Sequence, residues 1–223
     1  MPRLVLVPTP IGNLKDITYR AVEVLKNADL IMAEDTRTTG NLLKHYEIVN
    51  KLMPYHQHNE HKVLKSSLDR IMNSEVVALV TDAGTPGISD PGFLLARECI
   101  RNGIEVECLP GPTSIIPAVV QSGIPCDQFI FLGFLPHKKG RKTRLEEMAE
   151  ISMTMVLFES PHRIIKTLNQ LAGQLGEDRQ ACVCRELTKI HEENARGTLR
   201  SLADHFESKE VKGEIVLVIA GKA

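Results

Sequence analysis

The most informative segment of the chain is Val76-Val-Ala-Leu-Val-Thr-Asp-Ala-Gly-Thr-Pro-Gly-Ile-Ser-Asp-Pro-Gly92. Its first five residues are apolar and mostly β-branched, which predicts a buried strand over Val76–Val80. The following part, Asp82–Gly92, holds three glycines and two prolines, so regular structure stops there. A helix is then predicted over Phe93–Asn102. A glycine-rich turn between a strand and a helix lets a small ligand approach the backbone without interference from Cβ atoms. We therefore expect a binding pocket at this turn.

Length and composition are those of an ordinary globular protein. The chain has 223 residues, of which 43% are apolar and 25% charged, and its formal net charge is −1. It is long enough to bury a core as one large domain or as two small ones. Its apolar runs are strand-sized, against about 20 residues for a membrane-spanning helix, and its N-terminus lacks the pattern of a signal peptide. Five cysteines without a CxxC pair do not form a disulfide framework. These features predict a cytoplasmic protein.

The first half of the chain alternates strand and helix patterns. Strands are predicted at Leu4–Val7, Asp29–Ala33, Leu52–Tyr55, Val76–Val80 and Glu105–Leu109. Helices are predicted at Ile17–Ala28, Thr38–His45, Glu60–Asn73 and Phe93–Asn102. Thr18 or Asp16 is expected to cap the first helix, and Asn59 the third. This alternation predicts an α/β fold in which a mostly parallel sheet carries helices on both faces.

The second half has fewer crossover helices. Strands are predicted at Phe129–Phe134, Thr154–Glu159, Ala181–Arg185 and Glu214–Ala220, and helices at Arg141–Glu150, Arg163–Leu175 and Leu202–Ser208. A hairpin-like stretch at His191–Leu199 favours a smaller α/β domain with a mixed sheet. The proline- and glycine-rich segment Pro110–Pro125 predicts a junction near Gly123, which gives domains 1–122 and 123–223.

Ligands of open parallel sheets bind beyond the carboxyl ends of the strands. Four unusual loops lie at the ends of predicted strands, at Pro8–Leu14, Ala33–Arg37, Thr81–Pro86 and Leu109–Ser114. All four therefore lie at one edge of the sheet, and a ligand site is predicted there. Neither a GxGxxG turn after the first strand nor a P-loop is present in the sequence. The spacing of the histidines in His56–His61 matches no common zinc pattern, so no metal site is predicted.

One local concentration of charge stands out in the sequence. Lys138-Lys-Gly-Arg-Lys-Thr-Arg144 has five basic residues in seven positions. Such a run is typical of the solvated start of a helix. It is also typical of an arm that contacts phosphate groups. Charge alone leaves both interpretations open.

Several segments, in order along nearly the whole chain, carry the pattern of a known family. They are Val7–Leu14, Ala33–Arg37, Asp82–Gly92, Leu109–Thr113, Gly133–Pro136, Phe158–Arg163, Arg185–Lys189 and Lys212–Val216. They resemble the signatures of the small-subunit ribosomal RNA methyltransferases of the tetrapyrrole methylase superfamily. The resemblance implies S-adenosylmethionine-dependent 2′-O-methylation of a cytidine in the decoding region of 16S rRNA. It also implies a two-domain α/β fold with the cofactor in the cleft between the domains, and a homodimer that acts on 16S rRNA or the small ribosomal subunit.

The resemblance assigns residues to the cofactor, and the basic run supplies the candidate RNA contacts. The cofactor set is Pro10, Asp82, Gly84, Thr85, Ile88, Thr113, Ser114, Phe158 and Gly213. Within it, Gly84-Thr-Pro86 corresponds to a Gly-Asp-Pro turn that is common in relatives, so Thr85 replaces an acid. The RNA set is the basic run, namely Lys138, Lys139, Arg141, Lys142 and Arg144.

The catalytic set is the acid pair at the end of the second strand together with a nearby arginine. A ribose 2′-hydroxyl is a poor nucleophile, so its proton must be removed as the methyl group is transferred. Asp35 or Glu34 is expected to serve as the base, with Arg37 on an RNA phosphate. In the alternative interpretation, Asp35 caps the helix that starts near Thr36 and pairs with Arg37.

Two other functions remain open from the sequence. The chain could be another methyltransferase of the superfamily, with a tetrapyrrole ring or a translation-factor histidine of the diphthamide type as substrate. It could also be a non-catalytic module that binds S-adenosylmethionine or RNA. The Asp82–Gly92 segment and the basic run favour RNA as the substrate. An aromatic content of 4% with no tryptophan argues against a single-strand binder that stacks bases.

Overall fold

The computed structural model describes residues 1–222, which form two compact units. The first unit spans Met1–Thr113, and the second begins at Ser114. Each unit contains one five-stranded sheet. The α/β fold with a parallel first sheet and a mixed second sheet is confirmed.

The first unit is built on a fully parallel sheet. Its strands are β1 (Arg3–Leu6), β2 (Leu30–Ala33), β3 (Leu52–Pro54), β4 (Val76–Val80) and β5 (Glu105–Cys108), in the order β3-β2-β4-β1-β5. The helices are α1 (Tyr19–Asn27), α2 (Thr36–His45), α3 (Glu60–Met72) and α4 (Phe93–Arg101), and a short 3-10 turn covers Leu14–Asp16. Parallel strands place all their carboxyl ends at one edge, so the four unusual loops do lie at the same edge of the sheet.

Two separate cores cover the two faces of this sheet. Ala78 and Val80 point into a core formed with α1 and α2, whereas Val77 and Leu79 point into one formed with α3 and α4. Successive side chains of a strand point to opposite faces. Because the side chains of β4 enter the two cores alternately, all of them are apolar, and the strand does not alternate between apolar and polar residues.

The second unit is built on a mixed sheet. It contains α5 (Ile115–Ser122), β6 (Phe129–Phe134), α6 (Arg141–Ala149), β7 (Thr154–Glu159), α7 (Ile164–Leu175), β8 (Gln180–Arg185), β9 (Glu193–Thr198), α8 (Leu199–Glu207) and β10 (Ile215–Ile219). The strand order is β6-β7-β10-β8-β9, with β6 and β7 parallel and the other pairs antiparallel. The hairpin-like stretch forms β9, which pairs with β8 along its whole length.

Helix α5 belongs to the second unit, whereas the sequence predicts it in the first domain. The predicted boundary at 122/123 assigns this segment to the first domain, whereas α5 contacts β8, β9 and β10 of the second unit. Ala118 and Val119 are buried in that contact. Pro117 made the segment resemble a linker. However, a proline in the first turn of a helix removes an N–H group that has no partner within the helix.

The predicted helix caps are right at one position and wrong at another. Thr18 caps α1, since its side-chain oxygen accepts a hydrogen bond from the backbone N–H of Ala21 at 3.1 Å. Asn59 precedes α3 but does not cap it. Its side-chain oxygen accepts instead from the backbone N–H of His56 at 2.9 Å, which closes the turn before the helix. Among residues 1–222, no helix is long and apolar enough to cross a membrane.

Candidate functional site

The loops after β1 and β4 are joined by a pair of backbone hydrogen bonds. Thr9 donates its N–H to the carbonyl oxygen of Gly84, and Gly84 donates to that of Thr9, both at 2.9 Å. Gly84 has a backbone φ of +79°, a conformation that glycine adopts without the steric cost that other residues carry. This glycine therefore fixes the position of the turn that the sequence singled out.

The loop after β5 packs against the same two loops. The Thr85 hydroxyl donates a hydrogen bond to the carbonyl oxygen of Pro112 at 3.4 Å. A Cβ atom on Gly111 would lie 2.8 Å from Cβ of Pro8, so only glycine fits at this approach of the two backbones. Three of the four loops thus form one connected surface at the carboxyl edge of the sheet.

Asp35 is the N-cap of α2 and the ion-pair partner of Arg37. Its Oδ1 atom accepts a hydrogen bond from the backbone N–H of Arg37 at 2.8 Å. The Arg37 guanidinium adds two bonds, from Nε at 3.1 Å and from Nη2 at 2.7 Å. These bonds lower the pKa of Asp35 to about 2, the side-chain bond from Arg37 being the largest cause. A carboxylate held this firmly in its charged form has little affinity for a proton.

Glu34 is in the opposite electrostatic situation. Its side chain is half-buried, and its Oε2 atom accepts a hydrogen bond from the backbone N–H of Asp82 at 3.3 Å. Burial raises the pKa of Glu34, and the negative charges of Asp82 and Asp35 raise it further, against the lowering effects of that hydrogen bond and of His56. Glu34 is therefore the better proton acceptor of the acid pair at neutral pH.

Asp82 is the second acid of this edge with a raised pKa. Desolvation of its carboxyl group is the largest cause, although the residue as a whole stays exposed to solvent. A backbone hydrogen bond from Asp35 and the charge of Arg37 act in the opposite direction. Glu34 and Asp82 thus form a linked pair of acids that retain protons more strongly than free carboxylates do.

A pocket of about 270 Å³ opens beside Glu34 and Asp82. It lies between the loop after β1, the first turns of α2 and the end of β4, and it is lined by Thr9, Pro10, Leu14, Thr38, Thr39, Asn41, Leu42, Thr81 and Asp82. Only Pro10 and Asp82 were expected to contact a ligand. The sequence features that mark the missed residues are the threonines within 36–39 and the threonine directly after β4.

Comparison with known proteins identifies the family. The model of the tetrapyrrole (corrin/porphyrin) methylases matches residues 3–203. The ribosomal RNA small subunit methyltransferase I of Synechocystis sp. is 48% identical over 219 residues, which cover 98% of this chain and 78% of that protein. The protein of the same name from Thermotoga maritima is 45% identical over 222 residues, which cover 100% of both chains. The chain belongs to the ribosomal RNA small subunit methyltransferase I family.

Solved structures of other tetrapyrrole methylases share the fold. The cobalamin biosynthetic enzyme cobalt-precorrin-4 methyltransferase superposes with a TM-score of 0.70 at 20% identity, covering 98% of this chain and 94% of that chain. A uroporphyrin-III C-methyltransferase from Thermus thermophilus, solved in complex with S-adenosylhomocysteine, gives a TM-score of 0.65 at 18% identity, with coverage of 98% and 97%. At these identities the similarity concerns the fold.

In this methyltransferase, the residues expected around the cofactor divide between the two units. Pro10, Asp82, Gly84, Thr85, Ile88 and Thr113 belong to the first unit, and Ser114, Phe158 and Gly213 to the second. Ser114 occupies the position before α5, and Gly213 lies just before β10 with a φ of +90°. The Phe158 ring packs against Phe131 at a centroid distance of 4.9 Å.

The basic run of this methyltransferase requires one correction. Arg141 was expected to contact RNA, but it is only 7% exposed. Its guanidinium donates hydrogen bonds to the Gln170 side chain at 2.8 Å, to the Pro136 carbonyl at 3.1 Å and to the Thr167 hydroxyl at 2.7 Å. Arg141 therefore joins α6 to α7 and does not offer its charge to a ligand.

The other four basic residues keep their charges near the surface. Lys138 and Lys139 are exposed before α6, and the Lys142 side chain is 91% exposed although it lies 3.8 Å from a Glu146 oxygen. Arg144 pairs with Glu147 at 3.0 Å. The prediction of a solvated helix start is thus right for the position of α6, and three lysines remain as candidate phosphate contacts.

The histidine-rich segment His56–His61 contains one contact between histidine rings. The rings of His56 and His58 lie 6.0 Å apart in an edge-on arrangement. Within the described range 1–222, no group of three or more His, Cys, Asp or Glu side chains could hold a metal ion.

Proposed function

We propose that the protein is an S-adenosylmethionine-dependent methyltransferase that methylates the 2′-oxygen of a cytidine in the decoding region of 16S rRNA. The observation that carries the proposal is 43–48% identity, over nearly the whole chain, to proteins named for methylation of small-subunit ribosomal RNA. The proposal includes a homodimer in the cytoplasm that acts on 16S rRNA or on the assembled small subunit.

A tetrapyrrole or diphthamide-type substrate has weaker support. The solved tetrapyrrole methyltransferases are only 18–20% identical to this chain, which is the level of a shared fold. A fold by itself does not specify a substrate. The exposed lysines before and within the start of α6 also suit a polyanion better than a single ring.

The turn after β4 is suited to the cofactor. Gly84 presents backbone without a Cβ atom, and Thr85 carries no charge, so this turn does not attract the cationic cofactor through an acid of its own. Asp82, two residues before Gly84, supplies a negative charge at this edge instead. When bound, S-adenosylmethionine would supply an electrophilic methyl group for the ribose oxygen.

The chain itself must align the ribose and remove the proton. We assign the base to Glu34, because its raised pKa gives it more affinity for the hydroxyl proton than Asp35 has. Asp35 then acts as a positioning residue, which caps α2 and orients Arg37. The exposed Arg37 side chain remains the candidate contact of an RNA phosphate.

The first experiment tests the reaction. Purified protein, S-adenosylmethionine with a labelled methyl group, and small ribosomal subunits from cells that lack this gene should give labelled 16S rRNA. The label should block alkaline cleavage after one cytidine, because a methylated 2′-oxygen cannot attack the neighbouring phosphate. Label on a base, or transfer only to a tetrapyrrole or a protein, would contradict the proposal.

The second prediction concerns the cofactor turn. Gly84→Ala should lower the affinity for S-adenosylhomocysteine at least about 10-fold, since alanine at a φ of +79° is strained by roughly 1–2 kcal/mol and shifts the turn. Gly103 is a matched control, because its φ is +70° and nothing lies within 4 Å of an added Cβ atom. Gly103→Ala should lose similar stability but keep its affinity in calorimetry. Equal affinities of both variants would move the cofactor away from this turn.

The third prediction separates the two acids. Glu34→Gln should lower the single-turnover rate by about 10²–10⁴, the usual contribution of a general base. Asp35→Asn should stay within about 10-fold of the parent, because asparagine also caps a helix. The assignment of the base to Glu34 would be wrong if Asp35→Asn lowered the rate more than Glu34→Gln did while keeping the affinities for cofactor and RNA.

The pH dependence gives an independent test of Glu34. Its pKa is raised above the ordinary 4.5, so the rate of the parent should fall as the pH is lowered through a value above 4.5. This acid limb should disappear in Glu34→Gln. A limb that persists in the variant would assign the base to Asp82, the other acid with a raised pKa.

The fourth prediction concerns RNA engagement. Changing Lys138, Lys139 and Lys142 to Gln should reduce the salt slope of RNA binding by roughly two to three, because each lost phosphate contact removes about 0.7–0.9. Cofactor affinity should not change. Arg141→Gln is the contrasting variant: it should lose about 1–3 kcal/mol of stability through its buried bonds and leave the salt slope unchanged. An unaltered slope in the triple variant would leave the segment as a solvated helix start.

A further inference from the structure

The pocket beside Glu34 and Asp82 is lined mostly by residues to which the proposed function gives no role. We infer that it receives the base of the target nucleoside, turned out of the RNA so that its 2′-hydroxyl faces the acids at the end of the sheet. The inference rests on the proposed methylation of RNA. A nucleotide turned out of the RNA exposes the edge of its base for recognition, and a bound base fixes the sugar so that its 2′-hydroxyl can be aligned with the methyl donor.

The chemistry of the lining indicates the class of ligand. Of the nine lining residues, four are threonines, one is Asn41, one is Asp82 and three are apolar. None is basic, so a phosphate or a carboxylate would enter against the charge of Asp82 without a compensating cation. A neutral planar group with several donors and acceptors fits this lining. A cytosine base has such an edge, and a carboxylate accepts well from its exocyclic amine.

Thr81 supplies an independent observation. The residue is 1% exposed and lines the pocket, and its hydroxyl group has no hydrogen-bond partner among residues 1–222. A buried hydroxyl without a partner is costly, and its own backbone carbonyl is already used by Thr9 at 2.9 Å. A ligand in the pocket would give this hydroxyl the partner that the protein does not provide.

The size of the pocket favours one base over a whole cofactor. At about 270 Å³, it lies just below the roughly 300–1,000 Å³ that ligand pockets span. S-Adenosylmethionine combines a nucleoside with a methionine, so it requires more room than a single base. Gly84 of the predicted cofactor turn does not line the pocket, whereas Pro10 and Asp82 of the predicted cofactor set do, so these two residues would border both reactants.

The surroundings suit a nucleotide that enters from the surface. Thr38, Thr39 and Asn41 come from the first two turns of α2, whose first turn also carries the exposed Arg37. A base in the pocket would thus have a cation nearby for the flanking phosphate. The opposite wall ends in Asp82, whose backbone N–H holds the Glu34 carboxylate. The sugar of such a nucleotide lies between the arginine and the acids.

The test removes the unpartnered hydroxyl without changing its shape. Thr81→Val should lower kcat/KM for small ribosomal subunits about 10-fold, because a polar atom of the base loses its partner. Its affinity for S-adenosylhomocysteine should stay within about twofold of the parent. Its thermal midpoint should be unchanged or raised, since the variant no longer buries an unsatisfied group. Asn41→Ala, at the exposed rim, should also lower kcat/KM and cannot act through the core.

Ser67→Ala is the matched control. Ser67 is 0% exposed and its hydroxyl also lacks a partner within the described residues, but it lies on α3 and outside the pocket lining. This variant should keep the activity of the parent, and its thermal midpoint should be unchanged or raised for the same reason as in Thr81→Val. A loss of activity in Ser67→Ala as large as that of Thr81→Val would overturn the inference, because it would reflect buried hydroxyls in general.

The remaining outcomes separate this inference from the proposed function. If the parent methylates 16S rRNA and both pocket variants keep its kcat/KM, the pocket is not the base site and the proposed function stands. If the variants lose affinity for S-adenosylhomocysteine instead, the pocket belongs to the cofactor and the inference fails. If the parent transfers no methyl group to RNA, the proposed function fails first, whatever the variants do.

Discussion

The two hydrogen bonds between the backbones of Thr9 and Gly84 are the constraint on which the candidate site depends. They form an isolated antiparallel bridge beyond the ends of the parallel strands β1 and β4, so the two loops are held together where they leave the sheet. The next residue after Thr9 is Pro10, and Asp82 lies two positions before Gly84. Both line the pocket. Since the pairing needs a positive φ at Gly84, one glycine sets the position of both walls.

The acid pair shows how local structure gives adjacent carboxylates opposite properties. Asp35 lies at the start of a helix and receives bonds from a backbone N–H and a guanidinium. Both bonds favour its charged form. Glu34, one residue earlier, points where burial and two other acids disfavour its charge. The start of α2 directly after the two acids thus holds Asp35 as a fixed anion and leaves Glu34 able to take up a proton.

The sequence predicts those features that repeat along an element. The strands Val76–Val80, Phe129–Phe134 and Thr154–Glu159 have the predicted bounds, because long apolar runs have few alternatives. The location of the site follows equally, since parallel strands place their loops at one edge. Arg141 could not be predicted from its charge, because the face of α6 that meets α7 decides whether a side chain is buried. The pocket and the boundary before α5 depend in the same way on packing between distant segments.

The arrangement of charge at this edge indicates what limits the chemistry. The acids with raised pKa values are only half-buried or exposed, so their affinity for a proton rises modestly compared with that of a fully desolvated carboxylate. A weak base gains most when the reacting atoms are already aligned, since correct orientation alone accounts for a large part of many rate enhancements. Alignment is what the rigid elements of this edge supply: a bonded pair of loops, a capped helix and a small pocket between them. The exposed lysines near α6 are suited to attracting a polyanion rather than to the transfer step. The exposed cations would therefore attract the RNA at long range, and the backbone geometry of the sheet edge would position the reacting atoms at short range.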